Sequence, residues 1–118
     1  HQVIYLKEVG GERTFPIVIG IAEASSIDRR VKNFETSRPL THDLICLIVD
    51  SLGAELDSVL ISDVDGHTFY ARLRMRKDGE ILEVDSRPSD AIAVAVSCDP
   101  PLSIYVEEKV LEDAIAEA

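Results

Sequence analysis

Apolar and polar residues alternate along the first part of the chain in a way that predicts two strands and then a helix. Residues 3–9 and 14–19 are rich in β-forming side chains and flank Gly10-Gly11, which is typical of strand, turn and strand. From residue 21 to about residue 34, apolar positions recur at helical spacing with charged residues between them. The sequence therefore predicts a β-hairpin followed by an amphipathic helix.

A second helix is predicted to begin at Thr41. Thr41 is a suitable N-cap, Asp43 stands in the first turn, where the helix dipole favours a carboxylate, and Gly53 ends the pattern. Apolar residues cover more than one face of this segment, so we expect a largely buried helix. Cys46 lies among them and is expected in the core.

The middle of the chain predicts a second hairpin. Residues 56–62 and 69–76 have strand character and are joined near Gly66, a residue that accepts the left-handed backbone of a turn. A three-residue loop there places Ile61 opposite Phe69, so that the apolar faces of the two strands agree.

A third hairpin follows directly and has a better-defined turn. Asp78-Gly79 is a strong signal for a two-residue β-turn. It pairs Arg74 with Glu83 and Leu73 with Val84, so one face of the hairpin is charged and the other is apolar.

A third helix is predicted to begin at Pro88, with Arg87 as its N-cap and Asp90 in its first turn. Apolar residues surround it almost completely, which indicates a central helix. A short strand at residues 102–106 and a final amphipathic helix complete the pattern.

These elements define an α+β fold, with about four helices packed on a mixed or antiparallel sheet of hairpins. At 118 residues, the chain has the size of one domain, spanning residues 1–118. The hairpin-helix unit at residues 3–33 recurs at residues 69–97. An internal duplication would explain this recurrence, but chance would also explain it because the unit is common.

Composition limits the partners. Twelve Lys and Arg residues against 22 Asp and Glu residues give a net charge of −10, which opposes contact with phosphate backbones or anionic lipids. Divalent cations held by carboxylates are the exception. Two cysteines give no disulfide framework, and no apolar run approaches the length of about 20 residues that spans a membrane. We therefore expect no membrane association and a reducing, cytoplasmic location.

The residues that could take part in catalysis or binding lie where helices begin and where one strand ends. Such positions share one rim of a packed domain, so we expect these residues to lie close together. The residues are Glu23, His42, Asp43, Asp85, Arg87, Ser89 and Asp90. Each also has a purely structural interpretation, since acids in a first turn stabilise the helix dipole and a first-turn histidine is more often hydrogen-bonded than catalytic.

A basic stripe on one strand is a candidate surface for binding phosphate groups. Arg72, Arg74 and Arg76 alternate there, but the third hairpin places Glu83 and Asp85 opposite two of them. We therefore expect cross-strand ion pairs.

Two stretches are similar to signature segments of the bifunctional nuclease family: Pro-Leu-Thr-His-Asp-Leu at residues 39–44 and Asp-Ser-Arg-Pro-Ser-Asp-Ala-Ile-Ala at residues 85–93. The resemblance extends to residues 6–13, 16–24 and 69–73, so it covers nearly the whole chain. It implies a domain that degrades RNA and DNA. Members of this family usually carry a further N-terminal strand, which we expect this chain to lack.

If the resemblance extends to activity, the acidic charge favours divalent-metal assistance by Mg²⁺ or Mn²⁺, with no organic cofactor. Asp43, Asp85 and Asp90 would hold the ion, His42 would shuttle a proton, and Arg87 would steady the developing charge. Ser89 completes the candidate catalytic set of His42, Asp43, Arg87, Ser89 and Asp90.

Two other classes of function remain open. The first is a non-catalytic acidic module for interaction or oligomerisation, most simply a homodimer, which predicts an exposed apolar patch on a helix or strand. The second is a small-ligand site lined by Arg87 and Ser89.

Overall fold

The computed structural model describes residues 2–117 and contains six strands and four helices there, which confirms the predicted α+β class. The strands are β1 (Gln2–Lys7), β2 (Thr14–Ile19), β3 (Glu55–Asp65), β4 (Thr68–Lys77), β5 (Glu80–Ser86) and β6 (Ser103–Val106). The helices are α1 (Ile21–Val31), α2 (Thr41–Ser51), α3 (Pro88–Ser97) and α4 (Glu108–Glu117).

The small sheet consists of β1 and β2, which pair antiparallel as predicted. Alternate residues of β2 turn inward, so that Phe15, Ile17 and Ile19 are buried in the main core. Arg13, in the loop between the strands, contacts Glu8 beside it and Glu108 at the start of α4. This sheet is thus attached to the domain by apolar burial and by an ion pair.

The larger sheet has the strand order β5-β4-β3-β6. β6 runs parallel to β3 and the other pairs are antiparallel, so the sheet is mixed. The hairpin register predicted from Asp78-Gly79 is confirmed: Arg74 pairs with Glu83 and Leu73 with Val84. Both turn residues have positive φ angles, 52° and 79°, as a two-residue hairpin of this kind requires.

Cross-strand ion pairs are present on the outer face of this sheet, as predicted, although Arg72 takes Glu83 as its partner instead of Asp85, which stands opposite it. Glu83 contacts Arg72 at 3.1 Å and Arg74 at 3.4 Å. Arg76 contacts Asp57 at 3.6 Å. The basic stripe is therefore matched by carboxylates, as the register indicated.

The predicted register of β3 against β4 is wrong. Ile61 pairs with Ala71, and Phe69 pairs with Val64. The loop has two residues instead of three, because Asp65 already pairs with Thr68, and a bulge follows Ile61. The predicted partner of Ile61 differs from the observed one by two residues. Because side chains alternate between the two faces of a strand, the apolar residues still lie on the same face of the sheet.

Helix α3 lies at the centre of the fold, as predicted. Residues 91–95 are all buried, and α3 packs against α1, α2 and the larger sheet. Pro88 opens the helix and Arg87 precedes it with extended backbone. Proline restricts the residue before it to extended backbone, so Pro88 sets the direction of the backbone at Arg87.

The N-cap of α2 is Leu40, not Thr41. Leu40 has extended backbone, and its N–H donates to the Asp43 carboxylate at 3.1 Å. The helix therefore starts with a bond from the third residue back to the cap, which satisfies one of the free N–H groups of the first turn. A threonine hydroxyl is not needed there.

The prediction that α2 is largely buried is also wrong. His42 and Val49 are buried, and Cys46 lies half-buried at the edge of the core. One face of α2 packs on α3 and β3. The other face leaves four large apolar side chains 49–65% exposed: Leu44, Leu47, Ile48 and Leu52.

Both hairpin-helix units, β1-β2-α1 and β4-β5-α3, are formed. They lie in different sheets, and internal duplication stays a prediction. Within residues 2–117, none of the helices combines the length and apolar character needed to cross a bilayer.

Candidate functional site

His42 is buried where three helices meet. It stands in the first turn of α2, and its ring contacts one residue of α1 and one of α3. Nδ1 lies 3.0 Å from Ser26 Oγ, and Nε2 lies 3.0 Å from Asp90 Oδ1. Both ring nitrogens are therefore engaged, and the imidazole is held in one orientation.

The two contacts define the tautomer. An ionised Asp90 can only accept, so Nε2 carries the hydrogen that it donates to Oδ1. In the neutral ring, Nδ1 is then the acceptor, and the Ser26 hydroxyl donates to it. Burial raises the pKa of Asp90, but hydrogen bonds from His42 and Arg87 outweigh this effect and hold the pKa below its ordinary value.

Arg87 joins this group from the N-cap of α3. Its Nε donates to Asp90 Oδ2 at 2.9 Å, and one terminal nitrogen donates to Glu23 Oε1 at 2.6 Å. The Glu23 side chain is only 8% exposed, whereas Arg87 is 69% exposed. A buried carboxylate thus holds a guanidinium whose outer surface faces solvent, and that surface can accept a second anionic partner.

A cleft of about 610 Å³ runs beside this group, between α2, α3 and β5. Its apolar lining includes Ile45, Leu73 and Val84. Four of the predicted site residues also line it: His42, Asp85, Arg87 and Asp90. The expectation that helix starts and a strand end converge is met for these four.

Glu23 reaches the site through Arg87, whereas Asp43 and Ser89 lie elsewhere. Asp43 caps α2 through Leu40 and, together with Ser26, lines a separate cleft of about 400 Å³. Ser89 is buried in the first turn of α3 and is not among the residues that line the cleft beside Arg87. Both positions match the structural interpretations of first-turn residues.

The structure does not assemble the predicted ligand trio of Asp43, Asp85 and Asp90. Both oxygens of Asp90 accept hydrogen bonds from His42 and Arg87, and Asp43 is bonded to the backbone of Leu40. Across residues 2–117, no group of three or more His, Cys, Asp or Glu side chains is arranged to hold a metal ion. The residues as placed do not fit a direct Mg²⁺ or Mn²⁺ site.

Sequence reasoning missed Ser26 and did not assign a role to Glu23. Both lie on α1, three residues apart, and therefore on the same helix face. A buried glutamate and a buried serine at this spacing indicate a face that meets polar partners. Those partners, His42 and Arg87, lie 16 and 64 residues away in the chain.

Comparison with known proteins places the chain in a family. The model of the bifunctional nuclease domain matches residues 4–118. An uncharacterised protein of Mycobacterium tuberculosis is 43% identical over 112 residues, which cover 95% of this chain and 65% of that protein. Bifunctional nuclease 1 of Arabidopsis thaliana is 30% identical over 108 residues, covering 88% of this chain and 33% of that protein. Bifunctional nuclease 1 of Oryza sativa subsp. japonica is 24% identical over 107 residues, covering 88% and 32%.

The chain belongs to the bifunctional nuclease domain family. The resemblance carried by residues 39–44 and 85–93 is thereby confirmed. The chain spans about two thirds of the length of the mycobacterial relative and about one third of the plant relatives.

Proposed function

We propose that this domain hydrolyses phosphodiester bonds of RNA and DNA at the cleft lined by His42, Asp85, Arg87 and Asp90. The observation that carries the proposal is the continuous contact of Arg87 with Asp90 and of Asp90 with His42 along one wall of that cleft. A fixed cation beside a proton acceptor is the minimum that phosphodiester hydrolysis requires from side chains. The names of the plant relatives support this reaction class.

Arg87 would bind the phosphate. Glu23 and Asp90 orient its guanidinium, so little side-chain freedom is lost when a phosphate oxygen takes the exposed edge. Charge on the phosphate increases as the attacking oxygen approaches, and a guanidinium already in position stabilises that charge without rearrangement.

His42 would transfer the proton. The ring would take the proton at Nδ1, because Nε2 already donates to Asp90. The Ser26 hydroxyl would give its own proton to Nδ1 and take one from the attacking water, and Asp90 would stabilise the imidazolium that forms. Protonation also offsets one of the two carboxylate charges of Glu23 and Asp90, which otherwise repel the substrate. Ser26 holds the opposite side of the ring and keeps it from turning.

Assistance by Mg²⁺ or Mn²⁺ remains a prediction from the acidic charge. The side chains as placed do not form a ligand set, so the roles of Arg87 and His42 are derived without a metal ion. Parallel reactions with each metal and with EDTA test the dependence directly.

The experiment is degradation of single-stranded RNA and DNA by highly purified protein, beside Asp90→Asn and Arg87→Gln variants prepared identically. We expect activity in the wild type and at least a tenfold loss in each folded variant. Arg72→Gln is the matched control, because Arg72 pairs with Glu83 on the outer face of the sheet and does not line the cleft. Equal traces in all four preparations would indicate a contaminating nuclease and refute the proposal.

A second candidate function is supported by the exposed apolar face of α2, defined by Leu44, Leu47, Ile48 and Leu52. A second copy of the chain is its simplest partner, because two such faces are complementary about a twofold axis. Light scattering would show a dimer that a Leu47→Glu variant weakens. A monomer at high micromolar concentration would exclude this function.

A further inference from the structure

The two cysteines of the chain lie against each other. Cys46 is in the middle of α2 and Cys98 caps the end of α3. Both are free thiols, half-buried, and their sulfur atoms are 3.8 Å apart. None of the proposed nuclease chemistry uses this pair.

The pair joins the same two helices as the contact between His42 and Asp90. Cys46 follows His42 by one helical turn, and Cys98 follows Asp90 by about two turns, so each lies on the same face as its counterpart. Cys46 Sγ also lies 4.0 Å from the carbonyl oxygen of Val94, one turn before Cys98. A covalent bond here would therefore cross-link α2 to α3.

The environments of the two sulfurs differ. A hydrogen bond from Cys46 and the charge of Arg30 lower the pKa of Cys98 to about 7, although burial opposes them. Cys98 therefore carries more thiolate at neutral pH than an ordinary cysteine. Arg30 is held nearby, since its guanidinium donates to the carbonyl of Ser97 at 2.7 Å. The pKa of Cys46 is raised, because its thiol donates to Cys98 and burial disfavours its charge.

We propose that Cys46 and Cys98 form a dithiol site that hydrogen peroxide oxidises to an intramolecular disulfide. The Cys98 thiolate attacks one peroxide oxygen, the O–O bond breaks, and the departing hydroxide takes a proton to become water. Cys46 then attacks the sulfenic acid of Cys98, the S–S bond forms, and a second water leaves with the remaining proton. In balance, two thiols and one peroxide give one disulfide and two waters.

The sulfur atoms lie close to bonding distance. A disulfide joins its sulfurs at about 2 Å, so the two must approach by roughly 1.8 Å from their separation of 3.8 Å. In a reducing compartment, such a disulfide is transient and reports on oxidants. The site is independent of the proposed nuclease reaction.

The test treats the reduced wild-type protein with a small excess of hydrogen peroxide at neutral pH, stops the reaction with catalase, and maps peptides without reductant. We expect both thiols to disappear together, a peptide linking Cys46 to Cys98, a mass lower by two hydrogens, and full reversal by dithiothreitol. Thiols that persist, cross-links between chains only, or higher oxyacids without a cross-link would each overturn the proposal.

Variants separate the two roles. In Cys46→Ser, a sulfenic-acid probe should label Cys98, because nothing remains to resolve the intermediate. Arg30→Gln should slow oxidation about twofold, since a smaller thiolate fraction is partly offset by greater nucleophilicity. Arg29→Gln is the matched control, because Arg29 contacts Ser25 on its own helix. No labelling of Cys98, or equal rates for Arg30→Gln and wild type, would contradict the assigned roles.

Discussion

Replacing His42 by alanine tests the centre of the site in a single step. The change removes the hydrogen bond to Ser26 and the hydrogen bond to the ionised Asp90, and it leaves the buried hydroxyl of Ser26 without an acceptor. A neutral bond is worth about 1 kcal/mol and one to a charged group about 1.5–3 kcal/mol, so the variant should be about 2.5–4 kcal/mol less stable. For a domain of this size, that lowers the melting temperature by roughly 10–16 °C.

Urea denaturation of His42→Ala and wild type measures this loss, and the nuclease assay at a temperature where both are folded measures activity. Lys109→Ala is the control: Lys109 lies exposed on α4, and its loss should cost less than about 0.5 kcal/mol. A stability loss below about 1 kcal/mol in His42→Ala would refute the buried, doubly bonded placement. Unchanged activity in the folded variant would refute the proton-transfer role.

The remaining predictions concern charge, association and oxidation. Because the pKa of Asp90 is depressed in the folded state, its stabilisation is present above its ordinary pKa of 3.8 and is lost as the pH falls through the lower folded value. The stability difference between wild type and Asp90→Asn should therefore shrink below about pH 3.8 in acid-series urea titrations, and a constant difference would contradict this. Leu47→Glu should increase solubility without lowering stability by more than about 0.5 kcal/mol, measured by precipitation and urea curves. The disulfide between Cys46 and Cys98, 52 residues apart, should raise the free energy of unfolding by up to about 4 kcal/mol, and no gain over the reduced protein would argue against an unstrained bond.

The parts of the fold that local chemistry dictates were predictable. Asp78-Gly79 specifies a turn by its backbone preferences, and the turn fixes every pair of the hairpin that follows. Pro88 likewise marks the first residue of α3, because the N–H that proline lacks has no intrahelical partner at the first position of a helix. In both cases the deciding interaction lies within a few residues.

The burial of α2 was not predictable in the same way. Periodicity shows that Leu44, Leu47 and Ile48 are apolar, but it does not show how many neighbouring elements the fold supplies to cover them. The predicted register of β3 against β4 was wrong because the loop is one residue shorter than predicted and a bulge follows Ile61, and the turn residues do not indicate that bulge.

The candidate site shows the same division. Helix-start positions singled out His42, Arg87 and Asp90, which the fold brings into contact, because helices of one domain often begin at a common rim. Ser26 lies in the interior of α1, where nothing local distinguishes it from an ordinary helical serine. Its role exists only because three helices separated in sequence meet at His42.

The parallel pairing of β6 with β3 has a consequence for the order in which the chain folds. β3, β4 and β5 meet through short loops, whose closure costs little entropy and takes microseconds. β6 reaches β3 only after the chain has passed through β4, β5 and α3, and its pairing covers just the four residues from Ser103 to Val106. We therefore expect the meander of β3 to β5 to form first, and β6 and α4 to form late and to open first in native-state hydrogen exchange.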